Sequence, residues 1–140
     1  MNTNVVYISK TGHSRKIAQA VAESIGTKAL DAALDPDVHG TDLLFVVSGI
    51  YAGKAEPRLS AFLSKLQPDD VRRVAFITSS LSKSRQEDGR KTLADTGIPA
   101  ARDEYSCMGS FLFFGRKHPD GADIQGAIDF ALQLMETTDP

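Results

Sequence analysis

The chain lacks several features that would each fix a function class. It has one cysteine, Cys107, which excludes an internal disulfide framework and a multi-cysteine metal site. Charge of one sign is missing too. The 16 Lys and Arg stand against 18 Asp and Glu, for a formal net charge of −2. That is too mild to argue for nucleic acid, and no basic stripe runs along one helix. No apolar run approaches the roughly 18 residues of a membrane span, and no charged-then-apolar leader opens the chain. The expectation is a soluble, cytoplasmic protein without membrane insertion. Repeats, linkers and low-complexity segments are absent, and the 140 residues read as one domain over 1–140 with a single full-sized core.

Motifs of several phosphate chemistries are missing as well. The loop after the first apolar run is neither G-x-G-x-x-G nor G-x-x-x-x-G-K-[ST]. A phospho-receiver would need paired acids there and another acid after the third strand; Ser9, Lys10 and Ser48 hold those places. A low-molecular-weight phosphatase would need Cys-x5-Arg in the first loop, far from Cys107. His39 and His118 have no metal-ligand partner at useful spacing and read as surface residues, so no metal site is expected.

What is present begins with Ser9-Lys10-Thr11-Gly12-His13-Ser14. It follows a buried-strand run, residues 4 to 8, and leads into an amphipathic helix from about Gly12 to Ile25. Ile17, Val21, Ala22 and Ile25 form its apolar stripe, with Gly26 as the stop. A strand that turns through a hydroxyl-rich loop into a helix makes an anion site. Backbone N–H groups and the helix N-terminus converge, and the hydroxyls of Ser9, Thr11 and Ser14 add donors. Such a cradle suits a terminal phosphate monoester.

Lys28 to Ala32 reads as a weak second strand, followed by a turn or short helical fragment. Leu43–Val47 is apolar without alternation, as in a parallel strand covered on both faces. This run is expected to break at Ser48-Gly49-Ile50-Tyr51-Ala52-Gly53-Lys54. Pro57 opens a helix with Leu59, Phe62, Leu63 and Leu66 facing the core. Val74–Thr78 is the next strand, ending in Ser79-Ser80-Leu81-Ser82. A polar helix spans about Ser84 to Ala94; Gly89 makes it the least secure element. Lys83, Arg85, Arg90 and Lys91 gather there as a solvated basic cluster. Glu104–Met108 reads as the fifth strand, followed by Gly109-Ser110 and an apolar patch, Phe111–Phe114, of core and strand-edge character. Asp120 caps a last helix in which Ile124, Ala127, Ile128, Ala131, Leu132 and Met135 face the core. Five strands alternating with helices predict an α/β fold, a doubly wound five-stranded parallel sheet in a three-layer sandwich. The Gly- and hydroxyl-rich loops after the first, third and fourth strands fall at its carboxyl edge.

On these residues the chain resembles the flavodoxins. Ser-x-Thr-Gly-x-Ser after the first strand is similar to their phosphate loop, with His13 for the usual Asn and Ser14 for the last Thr. Ser48–Gly53 is similar to the first of their two ring-binding loops, and the terminal helix also matches. Length and the uninterrupted fifth strand favour the short-chain branch. The resemblance implies a flavodoxin-like fold, FMN as cofactor, and one-electron transfer between redox partner proteins by a monomer, with no catalytic residue of its own. By carry-over, Ser9, Lys10, Thr11, Gly12, His13 and Ser14 hold the phosphate. Ser48, Gly49, Ile50, Tyr51, Ala52 and Gly53 line the ring, with Tyr51 stacked on it. Ala52 or Gly53 supplies the carbonyl that turns toward flavin N5. Thr78, Ser79, Ser80, Cys107, Met108, Gly109 and Phe111 close the other side. The later ring loop departs from the family pattern, offering Ser, Cys and Gly where acidic residues and a second aromatic are usual. The resemblance therefore implies a flavin less strongly reducing than in acidic relatives.

Other readings stand beside this one. A small quinone or porphyrinogen oxidoreductase on the same fold is possible chemistry, although this length leaves little room for substrate-pocket inserts. A flavodoxin-like domain that has lost flavin is another. Cys107 reads as a small buried hydrophobe or a redox thiol, and His13 as a phosphate partner or a loop residue whose N–H alone matters.

Overall fold

A computed structural model describes residues 1–9, 12–51, 54–79, 86–107 and 121–137, the side chains of 51, 54 and 55 excepted. Among these residues the chain runs β1 (Thr3–Tyr7), α1 (His13–Ser24), β2 (Ala29–Asp31), a 3-10 turn (Ala32–Leu34) and β3 (Leu43–Tyr51). It continues with β4 (Lys54–Ala55), α2 (Pro57–Ser64), β5 (Val74–Ser79), α3 (Glu87–Ala94), β6 (Tyr105–Cys107) and α4 (Gly121–Thr137).

The sheet is ordered β2-β1-β3-β5-β6, with all of these strands parallel. β4 pairs antiparallel with the end of β3. From β1 the chain goes outward to β2, then crosses back to β3 on the other side of β1. The strand order reverses between β1 and β3, which sets the ligand crevice of such sheets at the carboxyl ends of the strands.

The apolar run of β3 lies at the centre because both of its faces are covered. On one face Val5, Phe45, Val47, Ala75, Ile77 and Cys107 pack against α1 (Ile17, Ala18, Val21) and α4 (Ala127, Ala131, Leu134). On the other, Val6, Val46, Val74 and Phe76 pack against α2 (Leu59, Phe62, Leu63) and Leu93 of α3. This is the expected doubly wound three-layer sandwich. Each of these fully buried Leu, Ile or Phe side chains contributes about 1.5–3 kcal/mol by leaving water.

Three local expectations are corrected. β3 does not break at Ser48. It runs on to Tyr51 because Ser48 and Gly49 pair with Thr78 and Ser79 of β5 while Ile50 and Tyr51 pair with β4. Neighbours on both sides recruit loop-type residues into the ladder. In α4, Leu132 is 42% exposed and Leu134 takes its place in the core. At 3.6 residues per turn Leu132 lies roughly a third of a turn from the Ala127–Ala131 stripe, whereas Leu134 falls beside it. The third correction concerns α3. It forms over Glu87–Ala94 with Gly89 inside it and begins later than the expected Ser84; a Cβ at Gly89 would sit 2.9 Å from Gln86 Cγ and 3.1 Å from the Phe76 ring. Glycine lets the helix approach the sheet. Gly126 does the same for α4, since a Cβ would lie 2.8 Å from Tyr105 Cζ. The Tyr105 hydroxyl donates to the Asp123 carbonyl at 2.9 Å, tying α4 to β6.

Candidate functional site at the carboxyl edge

The Ile8 N–H donates to the Val47 carbonyl at 3.0 Å, so the chain leaves β1 directly beside β3. Ser9 then accepts the Gly12 N–H on its Oγ at 2.8 Å. Gly12, the N-cap of α1, has φ 88°, and a Cβ at this position would meet nothing within 4 Å. Backbone conformation, not space, therefore demands glycine there. Among the described residues no side chain caps the helix, and its first turn carries no acid. The leading N–H groups of a helix lack intrahelical acceptors, and the macrodipole adds positive potential at that point.

Ser14, in this first turn, is 0% exposed. Its Oγ is buried without a hydrogen-bond partner among the described residues. An unsatisfied buried hydroxyl costs about 1–3 kcal/mol, so an acceptor placed at this hydroxyl would be stabilising. His13 stands next to it. Burial holds its imidazole below the ordinary histidine value and nearby Lys16 adds to the effect, so the ring favours the neutral form. A hydroxyl donor with no acceptor among the described residues, a helix N-terminus and an acid-free turn fit a phosphate monoester.

The far side of the edge is built from strand register. Ser48, Thr78 and Ser106 align in one row across β3, β5 and β6, and Gly49, Ser79 and Cys107 in the next. Because side chains alternate, Ser48 and Thr78 point to the α3 face. There Ser48 Oγ accepts from Gln86 Nε2 at 2.7 Å. The Thr78 hydroxyl donates to Glu104 Oε2 at 3.1 Å. Cys107 lies on the α1/α4 face within the core, 1% exposed.

Ser9, Gly12, His13, Ser14, Ser48, Gly49, Ile50, Thr78, Ser79 and Cys107 are thus brought to one edge of the sheet. Lys10, Thr11, Ala52, Gly53, Ser80, Met108, Gly109 and Phe111 lie outside the described residues, as does the Tyr51 side chain. The same holds for the Asp120 cap, the Phe111–Phe114 patch, His118, Lys83 and Arg85.

Sequence reasoning missed the residues that bind this edge together: Gln86, Arg90 and Glu104. Glu104 Oε2 also accepts the Gln86 N–H at 2.6 Å, while Arg90 Nε reaches Oε1 at 3.0 Å. Arg90 Nη2 completes the pair at 2.9 Å and also donates to the Ala101 carbonyl at 3.0 Å. The guanidinium lies over the Phe76 ring, 5.4 Å from its centroid. Arg90 is therefore a tethered ion-pair partner and not part of a solvated cluster; its side chain is 19% exposed and that of Glu104 only 2%. An Arg four positions into a helix, facing a Glu at the start of the next strand, was the one available clue.

Comparison with known proteins bears on the fold. An uncharacterized protein of Methanocaldococcus jannaschii is 26% identical over 136 residues, covering 89% of this chain and 91% of its own. Oxidised flavodoxin 2 of Bacillus cereus superposes with a TM-score of 0.68 at 14% identity, covering 99% of this chain and all of its own. The rubredoxin oxygen:oxidoreductase of Desulfovibrio gigas gives a TM-score of 0.72 at 15% identity, over 97% of this chain but 35% of its own. The family model of the flavodoxin domain matches residues 4–108. With three quarters of its length under that match and the β2-β1-β3-β5-β6 sheet beneath it, the chain belongs to the flavodoxin family.

Proposed function

We propose that this protein binds FMN at the carboxyl edge of its sheet and carries single electrons between redox partner proteins. The observation that carries the reading is the buried Ser14 hydroxyl in the first turn of α1, which has no partner among the described residues. Ser14 donates to the phosphate, supported by the Ser9 hydroxyl and the leading N–H groups of α1. Ser9 can do this while still accepting from Gly12, because a hydroxyl is donor and acceptor at once. Gly49 and Ser79, adjacent in register, supply backbone on the ring side, and Tyr51 supplies the aromatic face. FMN, when bound, contributes the one-electron redox chemistry. The chain contributes orientation: N–H and O–H donors hold the phosphate, and burial favours neutral His13 in the free protein.

The experiment is purification followed by an absorption spectrum and titration of the apoprotein with FMN. A flavin band at about 450 nm and saturable quenching of FMN fluorescence are expected. A colourless protein that refuses added FMN would leave only the fold. NAD(P)H-dependent quinone reduction by the isolated holoprotein separates the two redox roles. Saturable turnover would favour an enzyme, and its absence a carrier.

A further inference from the structure

The Glu104 carboxylate sits where three strand ends and a helix meet. From the described residues four donors converge on it: the Thr78 hydroxyl, the Gln86 N–H, and Nε and Nη2 of Arg90. Thr78 is the penultimate residue of β5 and Gln86 the N-cap of α3. One carboxylate therefore fixes both the point where the chain leaves β5 and the point where it enters α3. Gln86 passes the restraint on to Ser48 of β3 through its Nε2 and to the Gly89 N–H, 3.4 Å from its Oε1. Ser48 and Thr78 of this cluster are themselves among the residues assigned to the ring side.

Its charge state matters as much as its geometry. A buried carboxylate beside a flavin would disfavour adding electrons, but here Arg90 stands 2.9 Å away and cancels it. The low polarity of the site makes either charge act strongly when left alone.

We propose that Glu104 and Arg90 form a charge-neutralised positioning pair for the ring side of the flavin site. Glu104 holds the ends of β5 and α3 in place, and Arg90 cancels its field. This inference rests on the FMN reading above. Neither residue is assigned a contact with the flavin; Glu104 acts through Thr78, Gln86 and, by way of Gln86, Ser48, and Arg90 acts through Glu104.

The test is titration of apoprotein variants with FMN and with riboflavin, followed by potentiometry at alkaline pH, where an unpaired carboxylate is ionised. Glu104→Gln should weaken both flavins by the same factor, about tenfold, and raise the reduction potential. Arg90→Met should lower the potential, and Arg90→Lys should restore it toward wild type. Ser14→Ala, as a control for the phosphate end, should weaken FMN and leave riboflavin unchanged. If Glu104→Gln fails to fold, the opposite behaviour of the two Arg90 variants carries the test. Variants that bind both flavins as wild type does, with unchanged potential, overturn the inference. So does a shift of the same sign from Glu104→Gln and Arg90→Met, which would mark a packing effect. Wild-type protein that binds neither flavin overturns the FMN reading and this inference with it.

Discussion

Two corners of the carboxyl edge, a few strands apart, treat their buried polar groups in opposite ways. At the start of α1 the Ser14 hydroxyl is sealed from water without a partner among the described residues. Where β5, β6 and α3 meet, Ser48, Thr78, Gln86, Arg90 and Glu104 hold one another in a connected set of hydrogen bonds. A scaffold that can satisfy a five-residue network at one corner has no general difficulty pairing hydroxyls. The hydroxyl without a partner among the described residues stands out against that network. Self-satisfied networks fix shape, whereas a buried hydroxyl without a partner is free to accept one.

The largest way to break this contrast is Glu104→Ala. It strips the acceptor from Thr78 and Gln86 and leaves a mostly buried guanidinium unpaired, which should cost about 3–5 kcal/mol of stability, measured by chemical denaturation of the apoprotein. Next comes Ser14→Ala, whose effect should change sign with the ligand. Free protein loses an unsatisfied hydroxyl and should melt at the same or a higher temperature. FMN affinity should fall by about 1.5–3 kcal/mol, the range of a hydrogen bond to a charged group. A variant that loses stability and keeps its FMN affinity would make Ser14 a core residue like the others.

The smallest effect is that of pH. Burial and Lys16 hold His13 below its usual value in the free protein, and a phosphate dianion beside it should raise that value on binding. Because the bound form then takes up a proton more readily, FMN affinity should strengthen as pH falls through the raised value. It should level off once the free protein is also protonated. NMR titration of His13 with and without FMN checks the sign, and His13→Gln should flatten the dependence.

The two corners also differ in how far they could be read from the chain. The phosphate side is local: strand, hydroxyl loop, Gly12 and helix follow one another within a few residues. Gly12 has the positive φ that its loop position required. The network is long-range, joining Ser48 to Gln86 across 38 positions and Arg90 to Glu104 across 14. No periodicity encodes such pairs, so Arg90 looked like surface charge and Glu104 like a strand start. The continuation of β3 past Ser48 was hidden for the same reason. Whether Ser48 and Gly49 are loop or ladder is decided by Thr78 and Ser79, residues that a local pattern cannot see. Leu132 and Leu134 show a milder form of this, since the apolar stripe was legible but its centre was set by the α1 surface opposite. The layered architecture itself was legible because the continuous apolar runs of β3 and β5 admit only a sheet covered on both sides.

The two halves of the core also close at different times as the chain is made. The face under α2 and α3 is assembled from Val6 through Ile98, so its apolar contacts are available before the last forty residues exist. The opposite face takes Ala127, Ala131 and Leu134 from α4, and α1 cannot be sandwiched until that helix has arrived. Newly made protein therefore passes through a stage in which one face of the sheet is fully covered and the other carries α1 alone. Ile17 and Val21 of α1, the helix that begins at Gly12, still lack their α4 neighbours at that stage.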